Sequence, residues 1–370
     1  MVQRLASVVA ICLGCGLLVA CHGVAEVAPG MPGSMGARPL GIADTNLYVA
    51  NGGGKFGSGS LNIYGLERGK LLESITNGIN RPSAVGYDAP ANLIVVANTE
   101  PTKGSGSGSV ALYSPGGNKP FGVLKGTADP VSLAFDSTGK IYVADFKGGV
   151  NIYKPDDPLP ILVIPGGQGS DYYGVNAPRA VTVDDNGTVY VANGPVSVGS
   201  SDNVFAIAAF PPGMTQSSWI VDAAQPRALL ASNGLLYSAE AYPKTDKRNP
   251  DGWVRVYKLG TSYPQLLLTI TQAIRTPDAL ALDPYGNLYV ANLNGQSVSV
   301  YGPGSSVPGW VITNGIHFPK ALALGPQANL YVSNLYENTV TAYRYRSVDP
   351  FLTVKQSIQA PVSLTLNGSF

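Results

Sequence analysis

An all-β ring of seven four-stranded blades, a β-propeller, is the fold the sequence predicts. Three observations lead to it: a unit that returns seven times at intervals of 42 to 52 residues, strand-like patterning inside each unit, and a composition heavy in turn formers. The second-strand signature of the unit starts at Tyr48, Val95, Tyr142, Tyr190, Tyr237, Tyr289 and Tyr331. Two copies, residues 277–292 (PDALALDPYGNLYVAN) and 319–334 (PKALALGPQANLYVSN), are closely alike; similar units begin at Pro82, Pro130, Pro178 and Pro226, and a shortened one at Pro39. Gly (45) and Pro (29) punctuate 370 residues that are 45% hydrophobic and only 13% charged, which excludes disorder and favours a turn-rich β protein with a large core.

Each copy holds four strand patterns, as at 279–282, 288–291, 297–301 and 310–313, with Gly and Asp in the turns between them. The first alternates small with large: Ala134, Ala180, Ala279, Ala281, Ala321 and Ala323 against Phe135, Val181, Leu280, Leu282, Leu322 and Leu324. Blades crowd together near a propeller axis, so the small side is expected inward. The segment Pro361–Leu366 repeats the first-strand pattern an eighth time with no second strand after it. It is expected to pair with the strand at 47–50 and close the ring, which removes an open edge. Six blades, or an incomplete eighth, are the alternatives.

The first 21 residues are expected to carry an address. Arg4 precedes an uncharged run, residues 5–19, that is shorter than the ~20 residues a membrane-spanning helix needs. The run ends in Leu18-Val19-Ala20-Cys21, which resembles a bacterial lipobox, and that resemblance implies cleavage after residue 20 and a diacylglycerol on Cys21. His22 stands where many inner-membrane lipoproteins carry Asp, which by the same resemblance favours the outer membrane of a Gram-negative envelope. Residues 21–37 are expected to form a flexible tether and 38–370 the propeller. All three cysteines, Cys12, Cys15 and Cys21, precede the propeller, which therefore has no thiol chemistry. Removing residues 1–20, with Arg4 as their only charge, leaves 23 basic and 23 acidic side chains, a balance that excludes nucleic acid as a partner.

Counting strand directions places the residues after each repeat proline, the ends of the second strands and the loops that follow them on one rim. Those loops are long at 52–60, 99–109, 194–203 and 241–252, which marks this rim as the binding surface. The strand-end ring is Asn51, Asn98, Asp145, Asn193, Glu240, Asn292 and Asn334, able to hold metals or sugars but, repeated in every blade, expected to bond its own turns. The residues after the proline differ: Ser83, Val131, Arg179, Arg227, Asp278, Lys320 and Val362. Such variation suits a tailored site, and simple exposure permits it too.

Through Tyr-Val-Ala-Asn and the preceding Gly-Asn-Leu, residues 38–370 resemble the YVTN and NHL repeats of bacterial propellers. That resemblance implies the fold and leaves function open. Asp278, in Pro-Asp-Ala-Leu-Ala-Leu-Asp, is similar to the calcium-binding aspartate of the gluconolactonase and diisopropyl fluorophosphatase families, which hold a divalent ion at the channel mouth. At matching positions this chain carries Arg179, Arg227 and Lys320, whose charges repel such an ion. Streptogramin lyases, also seven-bladed, use a histidine beside a metal, which directs attention to His317, the only propeller histidine; it has no evident orienting partner.

Two Gly/Ser runs, 53–60 and 103–109, superficially suggest a phosphate cradle around Lys55 and Lys103. They lead into strands at 61–64 and 110–113 and not into the helix a Walker loop requires, so they are expected to be plain loops. The expected function is a non-catalytic envelope lipoprotein that binds or scaffolds a small molecule, glycan or protein through one rim. Its candidate ligand residues are Arg179, Arg227, Asp278, Lys320, Asn292 and His317; no catalytic set, cofactor or metal is expected, and membrane contact comes through the lipid alone in a monomer. The competing class is a metal-dependent hydrolase, lactonase or lyase built on Asp278, nearby Asn and Glu side chains and His317, with calcium as its ion.

Overall fold

The structure is a computed structural model that describes residues 45–52, 59–99, 108–166, 175–194, 196–198, 202–241, 251–260 and 262–368. The address segment with Cys21, the tether, residues 39–44 at the start of the Pro39 copy, both lysines Lys55 and Lys103 and most of the four long loops lie outside them.

Seven antiparallel sheets succeed one another along the chain, confirming the seven-bladed ring. Blade 6 shows the plan, with Pro277–Leu282, Leu288–Asn292, Ser297–Tyr301 and Trp310–Ile312 hydrogen-bonded in sequence order from the axis outward. The innermost strands of blades 2 to 7 are Pro82–Asp88, Pro130–Phe135, Ala180–Val183, Gln225–Ser232, Pro277–Leu282 and Pro319–Gly325, each adjoining the next. Second strands such as Leu93–Asn98 are enclosed on both faces, so they are continuous apolar runs. Outer strands such as Lys70–Ile75 alternate because one face meets water.

The core is divided into seven apolar wedges, one between each pair of neighbouring blades. Close approach near the axis explains the small residues there: a Cβ on Gly86 would run into the Phe135 ring of the next blade. Tyrosines ending the third strands tie the wedges at their rim. Tyr64, Tyr113, Tyr153, Tyr301 and Tyr343 donate to the carbonyls of Gln356, Asn77, Lys125, Gln272 and Asn314 at 2.6–2.8 Å, each gripping the segment that enters its blade from the one before. Partly buried bonds of this kind contribute about 1 kcal/mol each.

Blade 1 joins the chain ends. Pro361–Leu366 is its innermost strand, in register Leu47↔Leu366, Tyr48↔Thr365, Val49↔Leu364 and Ala50↔Ser363 with Asn46–Asn51. The place that a first strand from the Pro39 copy would occupy is therefore held by the C-terminal strand. Asn367 Oδ1 accepts the Asn46 amide at 2.7 Å, and the Gly52 amide donates to the Ala360 carbonyl at 2.9 Å, clamping both ends of the pairing.

A chain truncated before Ala360 should expose the Asn46–Asn51 edge and the apolar residues that Leu364 and Leu366 cover. We expect a lower melting temperature and concentration-dependent aggregation, read by calorimetry and light scattering. An unchanged melting temperature would contradict this account of closure.

Candidate functional site

The residue after each repeat proline is displaced by a bulge. In blades 2, 3, 5, 6 and 7 the register skips between the proline and the second residue after it, leaving Ser83, Val131, Arg227, Asp278 and Lys320 as the extra residues; Val362 is bypassed likewise between Pro361 and Ser363. Bulges re-aim side chains next to sites. In blade 4, Arg179 directs its amide to the Ala192 carbonyl at 2.8 Å, just before the strand proper begins at Ala180. Residues preceding the prolines are held in the left-handed region at Arg81, Ala177, Thr276, Phe318 and Ala360, a conformation non-glycine residues adopt reluctantly. Their carbonyls there accept amides arriving from beyond the second strand, as Thr276 does from Leu293 at 3.0 Å.

These bulged side chains meet across blades. Asp278 of blade 6 accepts Arg227 Nη1 of blade 5 at 2.7 Å on Oδ1 and Lys320 Nζ of blade 7 at 2.6 Å on Oδ2. The Asp278 side chain is only 2% exposed, while Arg227 and Lys320 keep 30% and 37% of theirs in solvent. Arg179 lies next in the ring, its guanidinium 5.6 Å from the centroid of the Phe205 ring. Burial, and then the neighbouring Arg227 charge, hold its pKa below the usual guanidinium range, though it stays protonated. Nε of Arg179 and of Arg227 are buried without a hydrogen-bond partner, and among the described residues no carboxylate pairs with Arg179. On the opposite arc Ser83 donates to the Pro130 carbonyl at 2.7 Å, continuing the cross-blade contacts without charge.

The strand-end ring has a different role. Asn51, Asn98, Asp145, Asn193, Glu240, Asn292 and Asn334 are all at most 2% exposed. Each accepts an amide of the segment entering its own blade, such as Asn80 to Asn98 at 2.9 Å, Asn176 to Asn193 at 3.1 Å, Arg275 to Asn292 at 3.0 Å and His317 to Asn334 at 2.9 Å. Asn292 also donates to Ser297 and Ser299, so its amide is committed to the fold and is not free for a ligand. Glu240 replaces the usual Asn in blade 5 and reaches further, accepting Trp253 Nε1 at 2.9 Å and pairing with Arg255 at 3.4 Å. Burial raises its pKa against those contacts. His317 is exposed and tied down only through its backbone amide. Of the six residues expected to bind a ligand, the structure thus brings Arg179, Arg227, Asp278 and Lys320 together and sets Asn292 and His317 apart.

Among the described residues no group of three or more His, Cys, Asp or Glu side chains is placed to hold a metal ion. Both Asp278 oxygens are occupied by cationic side chains, so an ion there would have to displace them.

The far rim carries the aspartates that end the first strands. Asp136, Asp184 and Asp283 accept amides two and four residues on, and each takes the hydroxyl of the second-strand tyrosine, Tyr142 at 2.9 Å, Tyr190 at 2.8 Å and Tyr289 at 3.2 Å. Burial and then the carboxylate push those hydroxyls well up. Blade 2 departs from the pattern, because Val95 stands where the others carry Tyr. Asp88 keeps a single 3.4 Å bond from the Ala91 amide, its Oδ2 is buried without a partner, and burial pushes its carboxyl up to about 6.

Neither a protein-family profile nor a curated protein sequence matches the chain. Among solved structures it is similar to a hydrazine synthase of Kuenenia stuttgartiensis (TM-score 0.67, 15% identity, 85% of this chain and 99% of that one). It is similar also to a 6-phosphogluconolactonase-like protein of Bacteroides fragilis (TM-score 0.64, 15% identity, 87% and 97%) and to the computationally designed Ika8 protein (TM-score 0.58, 15% identity, 85% and 86%). The class so defined is the β-propeller, and at this identity the likeness extends to the fold alone.

Asp88 makes a pH test possible. Its folded pKa lies above the unfolded value of about 3.9, so the folded state binds the extra proton and the carboxylate form is a burden that grows as pH rises from 4 through 6. Asp88→Asn should therefore raise stability by roughly 1–3 kcal/mol at pH 7.5 and change it little at pH 4. Urea midpoints at the two pH values decide it, and an equal effect at both would refute the assignment.

Proposed function

We propose that the protein is a non-catalytic envelope lipoprotein built from YVTN/NHL-type repeats, which receives an anionic group of a ligand or partner at the propeller mouth. The observation that carries this reading is the unequal pairing there: one carboxylate, Asp278, is shared by Arg227 and Lys320, and Arg179 is left beside them with no carboxylate of its own among the described residues. Among the described residues, three cations against one acid at these positions, in a protein only 13% charged, make the mouth a local positive field that partial desolvation strengthens. The planar guanidinium of Arg179, backed by Phe205, suits a carboxylate or phosphate. A divalent cation would meet the same field as repulsion.

Calorimetry at low salt with glucuronate, glucose 6-phosphate, glucose and calcium chloride separates the possibilities. Saturable binding of either anion is expected, with the two anions distinguishing carboxylate from phosphate preference, and salt should weaken it. Arg179→Ala should weaken it roughly tenfold, the loss of about one charge-assisted contact, and Asp278→Asn should strengthen it. Saturable calcium binding abolished by Asp278→Ala would overturn this reading in favour of the metal-dependent lactonase or lyase class.

The envelope address rests on the lipobox-like Leu18-Val19-Ala20-Cys21. Metabolic labelling should place palmitate on the wild-type chain in the membrane fraction, and Cys21→Ala should lose the label and move to the soluble fraction. A wild-type chain found unlabelled, soluble and cleaved elsewhere would overturn the anchor.

A further inference from the structure

Corresponding rungs of the blades show how each wedge is filled beside its second-strand tyrosine. In blade 4 the rung runs Tyr190↔Ala209↔Trp219 and in blade 6 Tyr289↔Val300↔Trp310. In both, an outer-strand indole packs on the tyrosine, with ring centroids 5.7 Å and 6.2 Å apart, and in blade 6 the indole also meets Tyr345 edge-on at 6.3 Å. In blade 3 the same rung runs Tyr142↔Ile152↔Leu162. Leucine is smaller than indole, and the wedge between blades 3 and 4 contains a cavity of about 500 Å³, walled by Tyr142, Ile152, Ile161, Leu162, Pro212 and Met214. Rungs ending in Leu268 (blade 5) and Leu352 (blade 7) adjoin smaller cavities of about 160 and 240 Å³. Small-molecule sites occupy roughly 300–1,000 Å³, so of these three only the first is large enough.

Its border is acidic. Asp136, Asp184 and Asp185 line it, with Lys140 as the one basic residue of its lining among the described residues. Lys140 lies 3.7 Å from Asp136, and Asp136 is further held below the ordinary carboxylate range, against its burial, by bonds from Thr138, Lys140 and Tyr142. Asp184 is bonded by neutral donors and has no cationic partner among the described residues, and Asp185 is exposed. We propose that this wedge binds a small aromatic cation, whose ring takes the place that Trp219 and Trp310 fill in blades 4 and 6 and whose ammonium group lies against Asp184 and Asp185. Met214, 57% exposed at the lip, is unbranched and able to fold over a flat ring. The carboxylates that border the cavity lie at the turns of the far rim, five or more residues along the innermost strands from Val131 and Arg179 at the mouth, so it is distinct from the anion site.

Titration calorimetry with tryptamine, indole and indole-3-acetate tests it directly. Tryptamine should bind saturably at one site, indole more weakly, and indole-3-acetate not at this site. Leu162→Trp supplies the missing indole and should lower tryptamine binding at least tenfold without lowering the melting temperature. Should that variant misfold, Met214→Lys, at an exposed position, should still weaken tryptamine several-fold by placing a cation at the lip. Asp185→Asn should narrow the gap between tryptamine and indole while leaving indole unchanged. Any indole-3-acetate binding removed by Arg179→Ala and insensitive to Leu162→Trp belongs to the mouth. Absence of tryptamine binding, equal affinity for amine and acid, or tryptamine binding insensitive to both cavity variants would overturn the proposal.

Discussion

The pairing of Pro361–Leu366 with Asn46–Asn51 is the constraint on which the rest depends, because a ring has defined wedges only if it is closed. Two wedges use residues from this one sheet: Leu364 and Leu366 pack with blade 7, and Val362 packs with blade 2. Closure by Pro361–Leu366 means that the blade positions, and with them the spacing of bulged residues around the mouth, are set when this strand meets Asn46–Asn51. Contacts between residues more than 300 apart, such as Asn46 with Asn367 and Gln359 with Asn51, carry a large loop-closure entropy that the buried pairing must exceed. The backbone ladder and the flanking side-chain bonds are what make that possible.

Much of this architecture was legible because repetition amplifies a weak signal. One strand pattern of six residues is ambiguous; seven copies of it at near-constant spacing are not. The C-terminal half-copy at 361–366 was legible for the same reason, as a first strand lacking its second. The structural duty of the strand-end ring was legible from its presence in every blade, and the buried amide bonds of Asn98, Asn292 and Asn334 bear that out. The tyrosines Tyr64, Tyr113, Tyr153, Tyr301 and Tyr343 recur as regularly at the ends of third strands, and their repetition could have exposed them as blade-to-blade ties.

What sequence reasoning missed is what depends on side-chain reach between blades. Arg227, Asp278 and Lys320 were visible as variable residues at one repeat position, but nothing in a repeat alignment says that a single carboxylate serves two cations 42 and 51 residues away. The answer lies in the bulge, which turns three successive blades' side chains toward one another, and bulges leave little trace in an alternation pattern. The unmatched Asp88 is a subtler case, since it follows from Val95 occupying a tyrosine position and from a turn one residue longer. The cavity beside Leu162 was invisible for a third reason. It is a difference in volume between equivalent positions, and leucine and tryptophan count alike as apolar.

The same repeat that builds the ring also separates charge. Its proline-following position lies at the mouth and its turn aspartate about five residues further along the innermost strand, roughly 16 Å away at 3.3 Å per residue. Over blades 4 to 7 the first position supplies Arg179, Arg227, Asp278 and Lys320, while blades 2, 3, 4 and 6 supply Asp88, Asp136, Asp184 and Asp283 at the second. A propeller domain of nearly balanced formal charge therefore carries, among the described residues, mostly cations at this position of the mouth and aspartates at the matching position of the far rim. At physiological ionic strength screening acts over about 8 Å, so the two ends are electrically independent and each must be judged by its own partners. At the mouth those partners are mutual and, among the described residues, leave Arg179 without a carboxylate. On the far rim the partners of Asp136, Asp184 and Asp283 are backbone amides and tyrosine hydroxyls, joined at Asp136 by Lys140, and they fix these carboxylates in place. That difference gives the two ends opposite chemistry from one repeated strand.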